Sequence, residues 1–417
     1  MIFIALKYLW ERKKQTFYTL LGVFFGTMAY VGVSGFFVGF QGFMVQQLVN
    51  NAAQVHIEAR ENYLSEHILD SPFFGSQVRH VFWVNPPAGV EGFREVQDPV
   101  KWYKRLEHDP RVEAFTPQMT VPALFSLGKN SVGTSITGCN PLQQMKVTTI
   151  ADYIIAGRFS DISVGGNRIV LGDELMKRLG AALEQTVMAS VGVNPIRTPF
   201  IVVGRFKTGS RGLDLQAFAS LSDVQRASLR LNQVNEIGVR VKNYQDADTI
   251  AKTWSMSSSE RVESWGDQNA NILSIFRIQM ALRYSMIVTI LIVAGFGIYN
   301  ILNMTVNQKR QDIAILRALG YDAFDIIMLF LSQGLIVGVI GAAFGLLSGY
   351  GLCKYLQTFS FMVATPTNPQ GHLHIALTPE IFLQAAIMAI LSAGIASILP
   401  ARSASKLTPI EIIRTGG

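Results

Sequence analysis

Four long apolar stretches dominate the hydrophobic pattern of this chain: Phe17–Phe40, Tyr284–Val306, Ile326–Leu352 and Ile381–Leu399. None contains Asp, Glu, Lys or Arg. As a helix, at about 1.5 Å per residue, the first reaches roughly 35 Å, enough for a bilayer core of about 30 Å. Such runs predict membrane-spanning helices, because a helix satisfies its own backbone groups in lipid. Between the first two runs the pattern changes. Segments 54–59, 119–127, 131–138, 186–191, 198–206 and 236–242 are rich in Val, Ile, Thr and Phe with partial alternation, and they predict strands. Segments 99–107, 172–181, 222–231 and 244–254 predict helices, with Ser222-Asp223 and Asp246 as N-terminal signals for two of them. The expected fold is a membrane protein of four transmembrane α-helices with a large α+β extracytoplasmic domain between helices 1 and 2.

Charge sets the expected orientation. Lys7, Arg12, Lys13 and Lys14 precede the first run, Lys309, Arg310 and Arg317 follow the second, and Arg402, Lys406 and Arg414 follow the fourth. The loop 353–380 has Lys354 as its firm cation. With four spans and a cytoplasmic N-terminus, all three basic regions lie on the cytoplasmic side, as the positive-inside rule requires. The first run is longer than the roughly 7–15 apolar residues of a signal peptide and passes into Gln41–Asn51, so an uncleaved anchor is expected. Residues 2–16 mix apolar and basic side chains and predict an amphipathic lead-in helix at the membrane surface. The chain then divides into the lead-in 1–16, the first span with its extension 17–44, the outer domain 45–280, the second span 281–306, a cytoplasmic segment 307–325, the third span 326–352, an outer loop 353–380, the fourth span 381–399 and a cytoplasmic tail 400–417. Within the outer domain, residues 62–97 carry Pro72, Pro86, Pro87 and the aromatics Tyr63, Phe73, Phe74, Phe82, Trp83 and Phe93. This reads as a loop-rich insertion. Its aromatics form a contact surface or, the reading we favour, pack onto the domain itself.

Composition agrees with a membrane protein. The chain is 49% hydrophobic and 16% charged, against roughly 25% charged in soluble domains. The net charge of +7 is accounted for by the cations flanking the spans, so no nucleic-acid partner is expected. Cys139 lies in a polar segment and Cys353 in a span, so neither a disulfide framework nor a metal-ligand spacing is present. The uncharged spans argue against an ion-driven transporter, which needs titratable groups within the membrane. Glycines recur in the spans: Gly22 with Gly26, Gly35 with Gly39, and Gly334, Gly338, Gly341, Gly345 and Gly349 along one helix face. Small residues let backbones approach closely in lipid, so the last five are read as a packing face, either within the chain or against another subunit.

Catalytic chemistry is not apparent in the sequence. There is no GxxxxGK[ST] phosphate loop, HExxH, GxSxG or kinase motif set. His372 and His374 have strand spacing without a third ligand type, and a solvated loop is the better reading. Glu66, His67 and Asp70 lie close together without a nucleophile. No catalytic residue, metal or cofactor is expected.

The stretch KRQDIAILRALG at 309–320 places charge between two spans. From its residues alone it reads equally as a basic membrane-proximal loop or as a docking element. Asn307–Tyr321 resembles the segment joining the second and third spans in the MacB/FtsX-like ABC transporter permease superfamily. There an acidic residue, an Ile-Leu core, a basic residue and a glycine recur, and Asp312, Ile315, Leu316, Arg317, Ala318, Leu319 and Gly320 stand at those positions. The tail Pro400–Arg414 resembles the family's closing segment, and residues 264–283 are similar to the lipoprotein-release LolC/LolE branch before its second span. Gly157-Arg158 with Ile169–Leu179 resembles the family's strand-then-helix segment. Two features depart from the family: 180–187 lacks a Gly-Asp pair, and Gly192–Pro199 is too short for the hook loop that recruits a periplasmic carrier.

The resemblance implies a permease of a bacterial inner membrane that works with a separate ABC ATPase subunit and a second permease subunit, the same or a related chain. Such a pair transmits motion from ATP hydrolysis to the outer domain rather than enclosing a channel. Lys309, Arg310, Asp312 and Arg317 are then expected to pair with charges on the ATPase, and Ile313, Ile315, Leu316 and Leu319 to dock on it, with Gly320 closing the segment. Beyond membrane lipids, the implied partners are a lipoprotein or another amphiphile as substrate and a periplasmic protein. Lipoprotein release is the first expectation, MacB-like export of amphiphiles or peptides the second, and an FtsX-like signalling permease that activates a cell-wall enzyme the third.

Overall fold

The computed structural model describes residues 2–11, 13–60, 70, 73, 81–85, 89, 95–192, 196–360, 368 and 371–407. They divide into two compact units: one holds the long helices, in Met1–Met44, Ser274–Met362 and His372–Gly417, and the other comprises Val45–Leu273 with Val363–Gly371.

The chain opens with α1 (Ile2–Glu11) and α2 (Lys13–Asn51). The outer unit follows with β1 (Val55–Glu58), α3 (Pro99–His108), β2 (Val112–Leu127), β3 (Asn130–Cys139), α4 (Pro141–Val147), β4 (Ile154–Gly157), β5 (Arg168–Gly172) and α5 (Asp173–Leu179). It continues through β6 (Thr186–Val191), β7 (Ile196–Phe206), β8 (Ala217–Ser220), α6 (Leu221–Ala227), β9 (Glu236–Val241), α7 (Ala247–Ser255), β10 (Arg261–Ser264) and α8 (Trp265–Gln268). The strands join in the order β10-β1-β9-β2-β3-β8-β5-β7-β4, and β6 pairs with both β2 and β7. That double pairing closes β2, β3, β8, β5, β7 and β6 into a ring. The β3–β8 and β5–β7 pairs are parallel and the other pairs antiparallel.

Strand β2 belongs to two lobes. Its first half pairs with β9, and its second half with β3 and β6. In the open lobe, α3 and α7 cover a core of Val55, Ile57, Trp102, Leu106, Ile237, Val239, Ile250 and Trp254. In the ring, Val121, Phe125, Ile136, Leu171, Val187, Phe200 and Val202 fill the interior together with Leu175 and Val224 from the helices. The six predicted strands all form, five of them within two residues of their expected limits, whereas β2 begins at Val112, seven residues before the expected 119. Four strands were not predicted: β4, β5, β8 and β10, each of four or five residues. One N-terminal signal was misplaced. Helix α6 begins at Leu221, so Ser222 lies inside it, and Asp223 is buried and paired with Arg226 instead of capping.

The membrane unit is completed by α9 (Ala270–Gln308), α10 (Arg310–Ala318), α11 (Ala323–Leu356) and α12 (Pro379–Ser405). Helices α2, α9, α11 and α12 are long and apolar enough to cross a membrane. All four run past the apolar stretches that predicted them, because hydropathy marks lipid contact while the helix continues through Gln, Asn and Arg, which are adequate helix formers. The glycine face packs within the chain. A Cβ on Gly338 would stand 2.6 Å from Ala393 Cβ, and Gly334 abuts Ser397, both on α12. The same atom on Gly341, Gly345 or Gly349 would reach 2.8, 2.7 or 2.9 Å from Val23, Thr27 or Val31 on α2. Gly35 and Gly39 of α2 admit the segment 374–376, whose Ala376 N–H donates to Gly35 O at 2.9 Å.

Of the 62–97 insertion few residues are described; Tyr63, Glu66, His67, Pro72, Phe74, Pro86, Pro87 and Phe93 lie outside them, as do Arg12 and residues 408–417. Phe73 and Phe82 are 69% and 96% exposed, so these two do not pack into the domain as expected. Cys139 and Cys353 are free and buried, and burial pushes the Cys139 thiol far above its ordinary pKa. His374 stacks on Phe43 at 4.4 Å.

Candidate functional site

The segment between the second and third long helices is built as a separate short helix. Helix α9 ends at Gln308, Lys309 adopts a non-helical conformation, and α10 follows. At its other end, Tyr321 N–H donates to Leu316 O at 3.2 Å and Gly320 N–H to Arg317 O at 3.2 Å. Gly320 has φ +98°. This is a Schellman stop, which needs a residue free to adopt positive φ. Gly320 is therefore explained by helix termination. Asp322 N–H then donates to Asp325 Oδ2 at 3.0 Å as α11 begins.

The apolar residues of α10 divide between two faces. Ile313 is fully buried, in a cluster with Val23, Ile298, Leu302, Val306, Ile326 and Phe330, and Ala314 beside it in sequence is nearly so. Leu316 packs against the rim of that cluster. Ile315 and Leu319, four residues apart on the other side, are 59% and 73% exposed. Ile313 is thus corrected from a docking residue to an anchor that fixes the helix to its own spans. Phe324, just beyond, is also exposed; it lies within the expected cytoplasmic segment 307–325 but outside the stretch 307–321 that carries the family resemblance.

The charged residues are divided in the same way. The Lys309 ammonium lies 2.8 Å from Asp312 Oδ2 and 2.8 Å from Glu11 Oε2 of α1. It also stands 4.8 Å from the centroid of the Tyr8 ring. The bonds from Asp312 and Glu11 hold its pKa above the ordinary lysine value. Lys309 and Asp312 are therefore engaged inside the chain, against the expectation that they face a partner. Arg310 is exposed and donates to Asn307 Oδ1 at 3.0 Å, and Arg317 reaches Tyr321 O at 3.5 Å. Glu11 was overlooked in the sequence; its signal was a lone acidic residue in a basic lead-in.

A second polar cluster lies in the outer unit. His56, Glu58 and Glu236 bring one potential ligand atom each within 4.8 Å of one another. Both imidazole nitrogens are engaged: Nδ1 with Glu236 Oε1 at 2.5 Å and Nε2 with Ala53 O at 2.9 Å. A metal needs a free nitrogen lone pair, so the arrangement is that of an ion pair. Burial disfavours the imidazolium, but the Glu236 hydrogen bond and the charges of Glu236 and Glu58 outweigh it and raise the His56 pKa. Burial, then repulsion from Glu236, raises Glu58.

Four helices long and apolar enough to cross a membrane, together with a separate mixed-sheet unit, are the architecture of a membrane protein with a folded accessory domain. Residues 16–254 match the MacB-like periplasmic core domain, and residues 284–409 match the FtsX-like permease C-terminal domain. The chain belongs to the MacB/FtsX-like family of ABC transporter permeases, whose members work with an ATPase subunit. Similar proteins include the lipoprotein-releasing system transmembrane protein LolC of Neisseria meningitidis, 25% identical over 99% of this chain and 98% of that protein. LolC of Xylella fastidiosa is 26% identical over 73% of this chain and 78% of its own length. The macrolide export ATP-binding/permease protein MacB of Agrobacterium fabrum is 21% identical over 97% of this chain and 59% of that protein. Among solved structures, the periplasmic region of MacB from Actinobacillus actinomycetemcomitans covers 54% of this chain and 95% of its own, at 12% identity and a TM-score of 0.34.

Proposed function

We propose that this chain is the transmembrane permease subunit of an ATP-driven lipoprotein-release transporter, with α10 as the docking element for a separate ATPase. The two-faced helix carries this reading. One face is buried through Ile313 and Ala314, while Ile315 and Leu319 project outward from the opposite face. Exposed apolar side chains at i and i+4 on a helix already anchored by its opposite face suit a protein partner. Motion of the ATPase reaches the spans through Ile313, and the spans carry it to the outer domain. In this reading the N-terminus, α10 and the tail are cytoplasmic, the outer unit is periplasmic, and two permease chains bind two ATPase chains in the inner membrane. Lipoprotein release is favoured because a LolC protein aligns over 99% of this chain and 98% of its own length.

The β6–β7 hairpin has a connection of residues 192–195 only, so we assign carrier recruitment to another subunit. The test is co-purification of the full chain with its ATPase, followed by ATP-dependent release of a triacylated lipoprotein from proteoliposomes. Paired Ile315→Asp and Leu319→Asp changes are expected to abolish ATPase binding in a chain that remains folded. Undiminished binding refutes the docking role, and ATP hydrolysis without lipoprotein release refutes the substrate.

A further inference from the structure

The lead-in helix α1 and the short helix α10 are separated in sequence by two of the long helices, yet they meet at one ammonium group. Glu11 and Tyr8 are three residues apart, so they share a face of α1. Lys309 lies at the start of α10, with Asp312 three residues on. The ammonium bonds Glu11 and Asp312 at 2.8 Å each and stands 4.8 Å from the Tyr8 ring, within the reach of a cation–π contact. Its side chain is 19% exposed, well shielded for a lysine at a helix end. Among the described residues, Lys309–Glu11 is the ion pair that joins α1 to α10.

We propose that Lys309 is a positioning residue that ties the lead-in helix to α10, so that the two helices move as one body. The purpose assigned to this tie rests on the docking role of α10, but the tie itself does not. Two helices connect the long-helix unit to Val45–Leu273 along the chain: α2, which leads into β1, and α9, which follows β10 and α8. Helix α10 follows α9 directly, so displacement of α10 is passed to α9 through the backbone. It reaches α2 through the core cluster that holds both Ile313 and Val23, and at the start of the chain through α1, where Lys309 supplies the contact. With Lys309 in place, one displacement drives both connections to the outer unit.

The two carboxylates keep the ammonium charged, so the tie does not titrate near neutral pH. An arginine has the reach and the donors to serve both carboxylates and to stack on Tyr8, whereas a methionine keeps the stem and loses the charge. These properties define the test. Spin labels go on the exposed positions Lys7 and Gln311, in full-length chain in nanodiscs; the native Cys139 and Cys353 are buried. In the chain alone, Lys309→Met is expected to broaden the α1–α10 distance distribution at least about twofold, while Lys309→Arg keeps it narrow. In the complex with the ATPase, trapping with ATP and vanadate is expected to leave the wild-type distance unchanged and to shift it in Lys309→Met. A distribution in Lys309→Met as narrow as wild type overturns the proposal, as does a wild-type distance that changes on trapping. Failure of the ATPase to bind the wild-type chain sinks the docking role alone, because the measurement on the isolated chain still decides the tie.

Discussion

Gly345→Ala adds one methyl group at the tightest of the α11–α2 contacts. An ideal Cβ there stands 2.7 Å from Thr27 Cβ and 2.8 Å from Phe24 O. Carbon contacts are favourable at about 3.5–4.0 Å, so the helices must separate by roughly 1 Å. Phe24 O is backbone, and no rotamer change removes it. Overpacking of this kind costs about 1–3 kcal/mol. Alanine returns about 1 kcal/mol of helix propensity, which leaves a net loss of about 0–2 kcal/mol. Gly351, six residues on in the same helix, has no atom within 4 Å of its ideal Cβ. There the same substitution gains about 1 kcal/mol with no packing cost. The two variants should differ by about 1–3 kcal/mol, a separation of several degrees in apparent melting temperature. The assay is thermal loss of the monodisperse peak of detergent-purified chain, followed by fluorescence-detected gel filtration. A Gly345→Ala protein that melts with or above Gly351→Ala refutes the argument that these glycines permit close approach within one chain.

Ile313→Asp should behave unlike the docking variants: a charge at a fully buried position costs several kcal/mol, so the detergent-purified chain should aggregate where Ile315→Asp stays monodisperse. Gly320→Ala should lower stability by about 1 kcal/mol despite open space around it, because φ is +98°; a melting temperature equal to wild type contradicts the Schellman assignment. The raised His56 pKa predicts a pH dependence. Its stabilisation is complete below the unfolded value near 6.5 and is lost as pH rises through the higher folded value. Glu58, also raised, acts in the same direction. Thermal stability of the full chain should therefore fall on the alkaline side of about pH 6.5, and His56→Gln should flatten that slope.

The spans were legible because lipid imposes one rule on every exposed side chain, and a run of uncharged residues satisfies it in only a few ways. Six strands, among them the five longest, were legible from their β-branched residues. The ring in the outer unit was not, because it depends on β6 pairing with both β2 and β7, residues separated by about sixty positions in the first case and brought together only by folding. The Ser222-Asp223 signal failed for a similar reason. Ser and Asp at 222–223 are common capping residues, but α6 begins at Leu221, with Val224 and Ala227 packed in the ring core.

At the candidate site the sequence determined which residues are present and that they form a charged helix between two spans. Its Ile, Leu, Arg and Lys residues alone did not say which faced inward. Periodicity assigns residues to faces of a helix, but only neighbouring helices decide which face is covered. The tertiary structure buried Ile313, exposed Ile315 and Leu319, and turned Lys309 toward Glu11, a residue almost three hundred positions away. It likewise placed the glycine face against α2 and α12, a choice the spacing left open between this chain and another. The solvent preference of each side chain is local and is written in the sequence; its partner is set by what the rest of the chain places beside it.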